Sequence, residues 1–270
     1  MVKKKNKINW KNALLETIKS PYYIIKYTIK GIVFLVKKTK EKIKKDKVKK
    51  KRKRRYAKYK KFKVIEKKQG NFDKLEKSFI DDNGKIGIIL GSRGSGKTAI
   101  GVKFLENIYA KSKKKCFAIG MKKESLPSWI KSIEKPEEIE NNSFVLIDEG
   151  GILFNSRKSM SNANKVLSDL IFVSRHKGVN ILFVSQNSSN LEINVLRQAD
   201  LLILKPSSLL QKNFERKIVQ KLYKKTQKDF KRLKEKEGKS ITYFYSDEFR
   251  GFVSNPLPSF WKENLSKSFR

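Results

Sequence analysis

Five short stretches of the chain are apolar without alternation. They are "KIGIIL" (85–90), "CFAIG" (116–120), "FVLI" (144–147), "ILFV" (181–184) and "LLIL" (201–204). Continuous runs of this length predict strands buried on both faces, as in a parallel sheet covered by helices. Between them the period lengthens. Ile100, Val102, Phe104, Leu105 and Ile108 supply the core face of one helix. Val166, Leu167, Leu170, Ile171 and Ser174 trace another, which Gly178 stops. Strands alternating with helices predict an α/β fold with a mostly parallel sheet. Residues 121–143, broken by Pro127 and Pro136, read as irregular. The stretch 208–238 reads as helical, with Leu210, Phe214, Ile218, Leu222 and Phe230 apolar and Gly238 at its end. "ITYFYS" and "RGFVSN" flank Asp247-Glu248 as a β-hairpin, and Phe260 and Trp261 read as packing residues of the tail.

The N-terminal pattern differs. Ile18, Tyr22, Ile25, Ile29, Ile32 and Val36 recur every three or four residues, with Lys19, Lys26, Lys30 and Lys37 on another face. This predicts an amphipathic helix, with Ser20 and Pro21 as its cap and first turn. Lys26 and Lys30 interrupt the apolar run, so an interfacial helix fits better than a spanning one. Residues 37–63 are mostly charge, with Tyr56, Tyr59 and Phe62 interspersed. Two readings of this arm stay open. It grips an anionic leaflet, the phosphates of a nucleic acid or a protein partner, or it docks on its own domain or a neighbouring subunit with the lysine run as a disordered linker.

Charge gives these patterns a direction. The 270 residues carry 65 Lys+Arg against 26 Asp+Glu, a formal net charge of +39. Such an excess points to a polyanionic partner, although 54 of the basic residues are lysine and a general lysine bias contributes. Residues 1–63 hold 26 basic and 3 acidic side chains, so a basic arm (1–63) is expected before the main domain (64–270). One cysteine, Cys116, excludes an intramolecular disulfide and suggests a reducing compartment. With a single histidine, His176, it also excludes a structural zinc site. No secretory signal is visible.

Candidate chemistry follows the first apolar run. "GSRGSGKT" (91–98) satisfies G-x-x-x-x-G-K-[ST] between a strand and a helix. Gly91, Ser92, Arg93, Gly94, Ser95 and Gly96 would wrap phosphates with backbone N–H groups. Lys97 would reach the β- and γ-phosphates and Thr98 would ligate Mg²⁺, so ATP and Mg²⁺ are the expected cofactors. Asp148, at the end of the third run, is placed to hold the Mg²⁺ shell, and Glu149 to polarise an attacking water. Gln186 follows the fourth run, where a strand gives way to polar residues.

The order of phosphate loop, Asp-Glu strand, and "SRHKGVNILFVSQN" resembles the FtsK/HerA superfamily of P-loop ATPases, over about residues 85–206. The zonula occludens toxin-type and viral packaging-type branches are most similar. The resemblance implies a RecA-like core with the Gln186 strand between the phosphate-loop strand and the Asp148 strand, and Gln186 as a γ-phosphate sensor. It implies a hexameric ring moving double-stranded DNA, with an arginine finger in trans, Arg175 or Arg197. The expected function is therefore an ATPase motor that packages viral or mobile-element DNA. The alternative is a membrane-associated ATPase for virion assembly or extrusion. The expected location is cytoplasmic or virion-associated, with the arm touching a membrane surface or capsid protein.

Overall fold

The computed structural model describes residues 10–53, 55–148, 169–172, 174–191 and 193–261. The chain divides into two compact units, Met1–Lys51 and Arg52–Arg270. The basic stretch expected to end at 63 therefore contributes its last residues to the second unit.

The first unit is built on α1 (Trp10–Lys53), one continuous helix. Ser20 and Pro21 lie inside it rather than at its start. The preceding "WKNALLETIK" is rich in good helix formers and starts the helix earlier. Ile25, Ile29, Ile32 and Val36 share a face, and all four are exposed. Among the described residues no helix is long and apolar enough to cross a membrane.

The second unit holds a nine-stranded sheet in the order β1-β9-β8-β7-β2-β6-β5-β3-β4. The strands are β1 (Lys63–Gly70), β2 (Ile86–Leu90), β3 (Cys116–Ile119), β4 (Ile130–Ile133), β5 (Phe144–Asp148), β6 (Asn180–Val184), β7 (Leu201–Leu204), β8 (Ile241–Tyr245) and β9 (Phe249–Ser254). From β7 to β4 every pairing is parallel, and β8, β9 and β1 extend the sheet antiparallel. Both faces are covered, which is why the central strands carry no polar alternation. Ile86, Ile88 and Leu90 enter one apolar layer with Leu222 and Phe230 of α6 (Lys217–Glu237). Ile89 enters the other, with Phe79 of α2 (Phe72–Asp81) and Phe104 of α3 (Lys97–Ser112).

Three elements depart from the sequence expectation. The irregular region contains β4, an edge strand with Ile130 and Ile133 buried and Lys131 exposed. A four-residue strand with two apolar positions is too short for periodicity to show. β1 is mostly polar and exposed, with Val64 and Ile65 its only apolar side chains; pairing with β9 makes it a strand. Phe62, expected in a solvated arm, is buried in an aromatic cluster, 5.5 Å between ring centroids from Phe72 and 6.2 Å from Phe104 and Phe244.

The segment before Phe62 is tied to α3 by a buried network. Lys103 Nζ donates to Glu106 Oε2 (2.7 Å) and to Lys58 O (2.9 Å). Lys58 N–H and Ser259 N–H donate to Glu106, and Asn107 exchanges two hydrogen bonds with the Lys60 backbone. The helical stretch expected over 208–238 is two helices, α5 (Leu209–Phe214, numbered after α4, Ile193–Arg197) and α6. Buried Glu215 breaks them by accepting the Ser188 N–H at 2.7 Å.

Candidate active site

The phosphate loop lies between β2 and α3, and its conformation is set by glycine. Gly91 has φ 153° and Gly96 φ 94°, angles that side chains disfavour. A Cβ on Gly91 would also lie 2.6 Å from Lys205 Cβ and 3.1 Å from Lys205 O. The loop is held from below by the residues after β7. Ser92 donates to Pro206 O through N–H (3.1 Å) and Oγ (3.0 Å). Lys97 is buried and donates to Gly91 O (2.8 Å) and Ser92 O (2.9 Å), folding back over the loop. Arg93 and Gly94 are exposed at the tip. Ser95 Oγ is buried and has no hydrogen-bond partner among the described residues.

Thr98 Oγ1 donates to Asp148 Oδ2 at 3.0 Å. This bond joins the first turn of α3 to the C-terminal end of β5. Parallel pairing puts β6 between β2 and β5, with Val184 level with Asp148 and Ile89. Gln186, two residues further on, therefore leaves the sheet at the same edge as the phosphate loop. Its carbonyl accepts from Gln211 Nε2, and the same amide donates to Glu215 Oε1 (3.1 Å). Arg216 pins the rest of this loop through Ser188 O (3.1 Å) and Leu191 O (2.7 Å). Glu149 lies outside the described residues.

The two arginines lie elsewhere. Arg175 is exposed just before β6 begins, and Arg197 is exposed at the end of α4, just before β7 begins. Both are at the N-terminal edge of the parallel strands, roughly 16 Å of strand from the phosphate-loop edge. A role for either in ATP hydrolysis therefore needs a second copy of the chain. His176 is also exposed at that far edge.

Sequence reasoning missed Lys205. It follows β7 and is fully buried under the phosphate loop. Its Nζ donates toward Lys239 O (2.7 Å), Asn255 Oδ1 (2.9 Å) and Ile241 O (3.1 Å), with Ser240 O at 3.4 Å. Burial pulls its pKa down from 10.5 to about 7. The available signal was a lysine ending an apolar strand at the edge where ligands of open α/β sheets bind.

Thr98 and Asp148 bring one hydroxyl and one carboxylate oxygen together, hard donors of the type that would hold Mg²⁺. No group of three His, Cys, Asp or Glu side chains is clustered among the described residues.

Residues 105–204 match the Zonular occludens toxin (Zot) family. Over that stretch, a little over a third of its length, the chain is similar to Zot-type P-loop ATPases. The match covers Asp148, Gln186, Arg175 and Arg197 and begins within α3, after the phosphate loop. No curated protein matches the chain. Among solved structures it is similar to B204, the DNA-packaging ATPase from Sulfolobus Turreted Icosahedral Virus, at 14% identity and TM-score 0.45, over 65% of this chain and 99% of that one. It is also similar to the genome packaging NTPase B204 from Sulfolobus turreted icosahedral virus 2, in complex with ATP-gammaS (15%, TM-score 0.42, 64% and 98%) and with AMPPCP (13%, TM-score 0.46, 64% and 99%). Likeness at these levels carries no functional inference about this chain.

Proposed function

We propose that this protein is an ATP-hydrolysing motor of FtsK/HerA type that translocates double-stranded DNA, packaging a viral or mobile-element genome as a hexameric ring. The observation that carries the reading is the Thr98–Asp148 bond at the edge where β6 delivers Gln186. Binding needs the phosphate loop alone; hydrolysis also needs groups that position water, and Gln186 is set for that role. In this reading Lys97 leaves the carbonyls of Gly91 and Ser92 for the β- and γ-phosphates. Thr98 and Asp148 would hold Mg²⁺, which would neutralise phosphate charge when bound. Glu149 polarises the attacking water and Gln186 orients it. The loop N–H groups from Ser92 to Gly96 and the buried Ser95 hydroxyl supply further donors. Arg175, with Arg197 as the second candidate, serves the site of a neighbouring copy. The net charge of +39 supports DNA as the partner.

A second reading is favoured by α1. Its exposed Ile25, Ile29, Ile32 and Val36 precede a lysine-rich stretch, which suits an anionic membrane surface or a capsid protein. The protein would then be an assembly ATPase peripheral to the membrane, whereas the first reading places it in the cytoplasm or the virion.

Steady-state ATP hydrolysis with and without duplex DNA, across a salt series, separates the two. The motor predicts stimulation that persists at moderate salt. Stimulation at no salt concentration contradicts it. The series is needed because so basic a chain binds any polyanion at low salt.

A further inference from the structure

We propose that Lys205 is a positioning residue of the phosphate loop: a buried cation that braces the loop from below and adds positive charge to it without touching the nucleotide. The proposal rests on nucleotide binding by this loop and is independent of any action on DNA.

Three contacts place the side chain there. Lys205 N–H donates to Leu90 O (2.8 Å), fixing its backbone beside the last residue before the loop. Its Cβ lies under Gly91, as close as 2.6 Å to an added Cβ. Its far end runs beneath Gly96, where an added Cβ would lie 3.5 Å from Cε and 3.9 Å from Nζ. The side chain thus spans the loop from first glycine to last. The loop has no bulk of its own there to separate the ammonium from a bound phosphate.

The oxygens around Nζ partly offset the burial that disfavours its charge. Four oxygens of neutral groups lie within 3.4 Å: Lys239 O, Asn255 Oδ1, Ile241 O and Ser240 O. An ammonium can satisfy three of them, whereas a neutral amine has one donor fewer. No carboxylate pairs with it among the described residues, so its field is not cancelled locally. The charged and titratable neighbours are Lys97 across Gly91, Tyr223, whose hydroxyl donates to Lys205 O at 3.2 Å, and the exposed Lys239 with Glu237 in the turn. Burial opposes the charge and the oxygens support it, so the group is poised near neutral pH. A bound phosphate anion tips the balance towards the ammonium, and by linkage the ammonium tightens the phosphate.

The test is binding of fluorescent mant-ADP to the full chain without DNA, as a function of pH, for wild type, Lys205→Met and Asn255→Asp. Lys205→Met is expected to weaken binding about tenfold near pH 7, and the ratio of wild-type to variant affinity to fall towards one by about pH 10. A ratio of one throughout, or a constant ratio at every pH, overturns the proposal. Asn255→Asp places a carboxylate at the ammonium and cancels its field locally, so mant-ADP binding is expected to be weaker than wild type near pH 7 and the difference to shrink as pH rises. This variant decides the matter if Lys205→Met does not fold; an unchanged profile then overturns the proposal. Failure of the wild type to bind mant-ADP at any pH overturns the nucleotide-site reading, and the proposal with it.

Discussion

Thr98 and Asp148, fifty residues apart in sequence, are joined by a 3.0 Å hydrogen bond between hydroxyl and carboxylate. The bond locks the start of the helix after the phosphate loop to the strand that ends in acid. Both oxygens are the type Mg²⁺ takes. Thr98→Ala and Asp148→Asn should each lower kcat for ATP hydrolysis by about 100-fold or more. Nucleotide binding measured in EDTA should change little. Steady-state kinetics and equilibrium binding check the two halves.

Gly91 sits on top of Lys205. Gly91→Ala would bring a methyl group 2.6 Å from Lys205 Cβ and 3.1 Å from a backbone oxygen, at a φ of 153°. Neither neighbour is the free end of a side chain. The substitution should cost about 1–3 kcal/mol in denaturant unfolding, and should weaken ATP binding through the displaced loop.

Lys103 and Glu106 form a buried pair on α3, with side-chain exposures of 1% and 0%. Glu106 also accepts from Lys58 and Ser259, so it fastens two distant segments to the helix. Glu106→Ala leaves Lys103 buried without its carboxylate. It should destabilise the fold by about 3–5 kcal/mol, measured by chemical denaturation at neutral pH.

Lys205 makes stability depend on pH in a specific direction. Its folded pKa, about 7, lies below its ordinary 10.5, so between these values the unfolded chain binds more protons. Stability should therefore rise with pH across this window and show the full penalty of the buried charge below it. The difference in unfolding free energy between wild type and Lys205→Met should change across the window by a few kcal/mol, on the order the linkage relation gives. A difference independent of pH would remove the titration from Lys205.

Much of this arrangement is legible in the sequence, and the reasons differ by element. The five apolar runs are strands of the parallel sheet because burial on both faces leaves no room for alternation. "GSRGSGKT" is readable because close wrapping of phosphates restricts the residue types allowed. The position of β6 between β2 and β5 follows from resemblance, since no local pattern encodes strand order. What was not legible depends on tertiary partners. β1 has only Val64 and Ile65 as apolar side chains, adjacent rather than alternating, and is held as a strand by pairing with β9. The strap before Phe62 reads as solvated charge because its anchors, Lys103, Glu106 and Asn107, lie on a helix forty and more residues away. Lys205 looks like one lysine among 54, and only the fold puts it under the loop.

Displacement of a third strand from duplex DNA, in the presence of ATP, tests the motor most directly. The account predicts displacement that requires ATP, survives moderate salt and is lost in Asp148→Asn. Steady ATP hydrolysis by the wild type with no displacement at any salt would contradict translocation of DNA, while leaving the ATPase site in place.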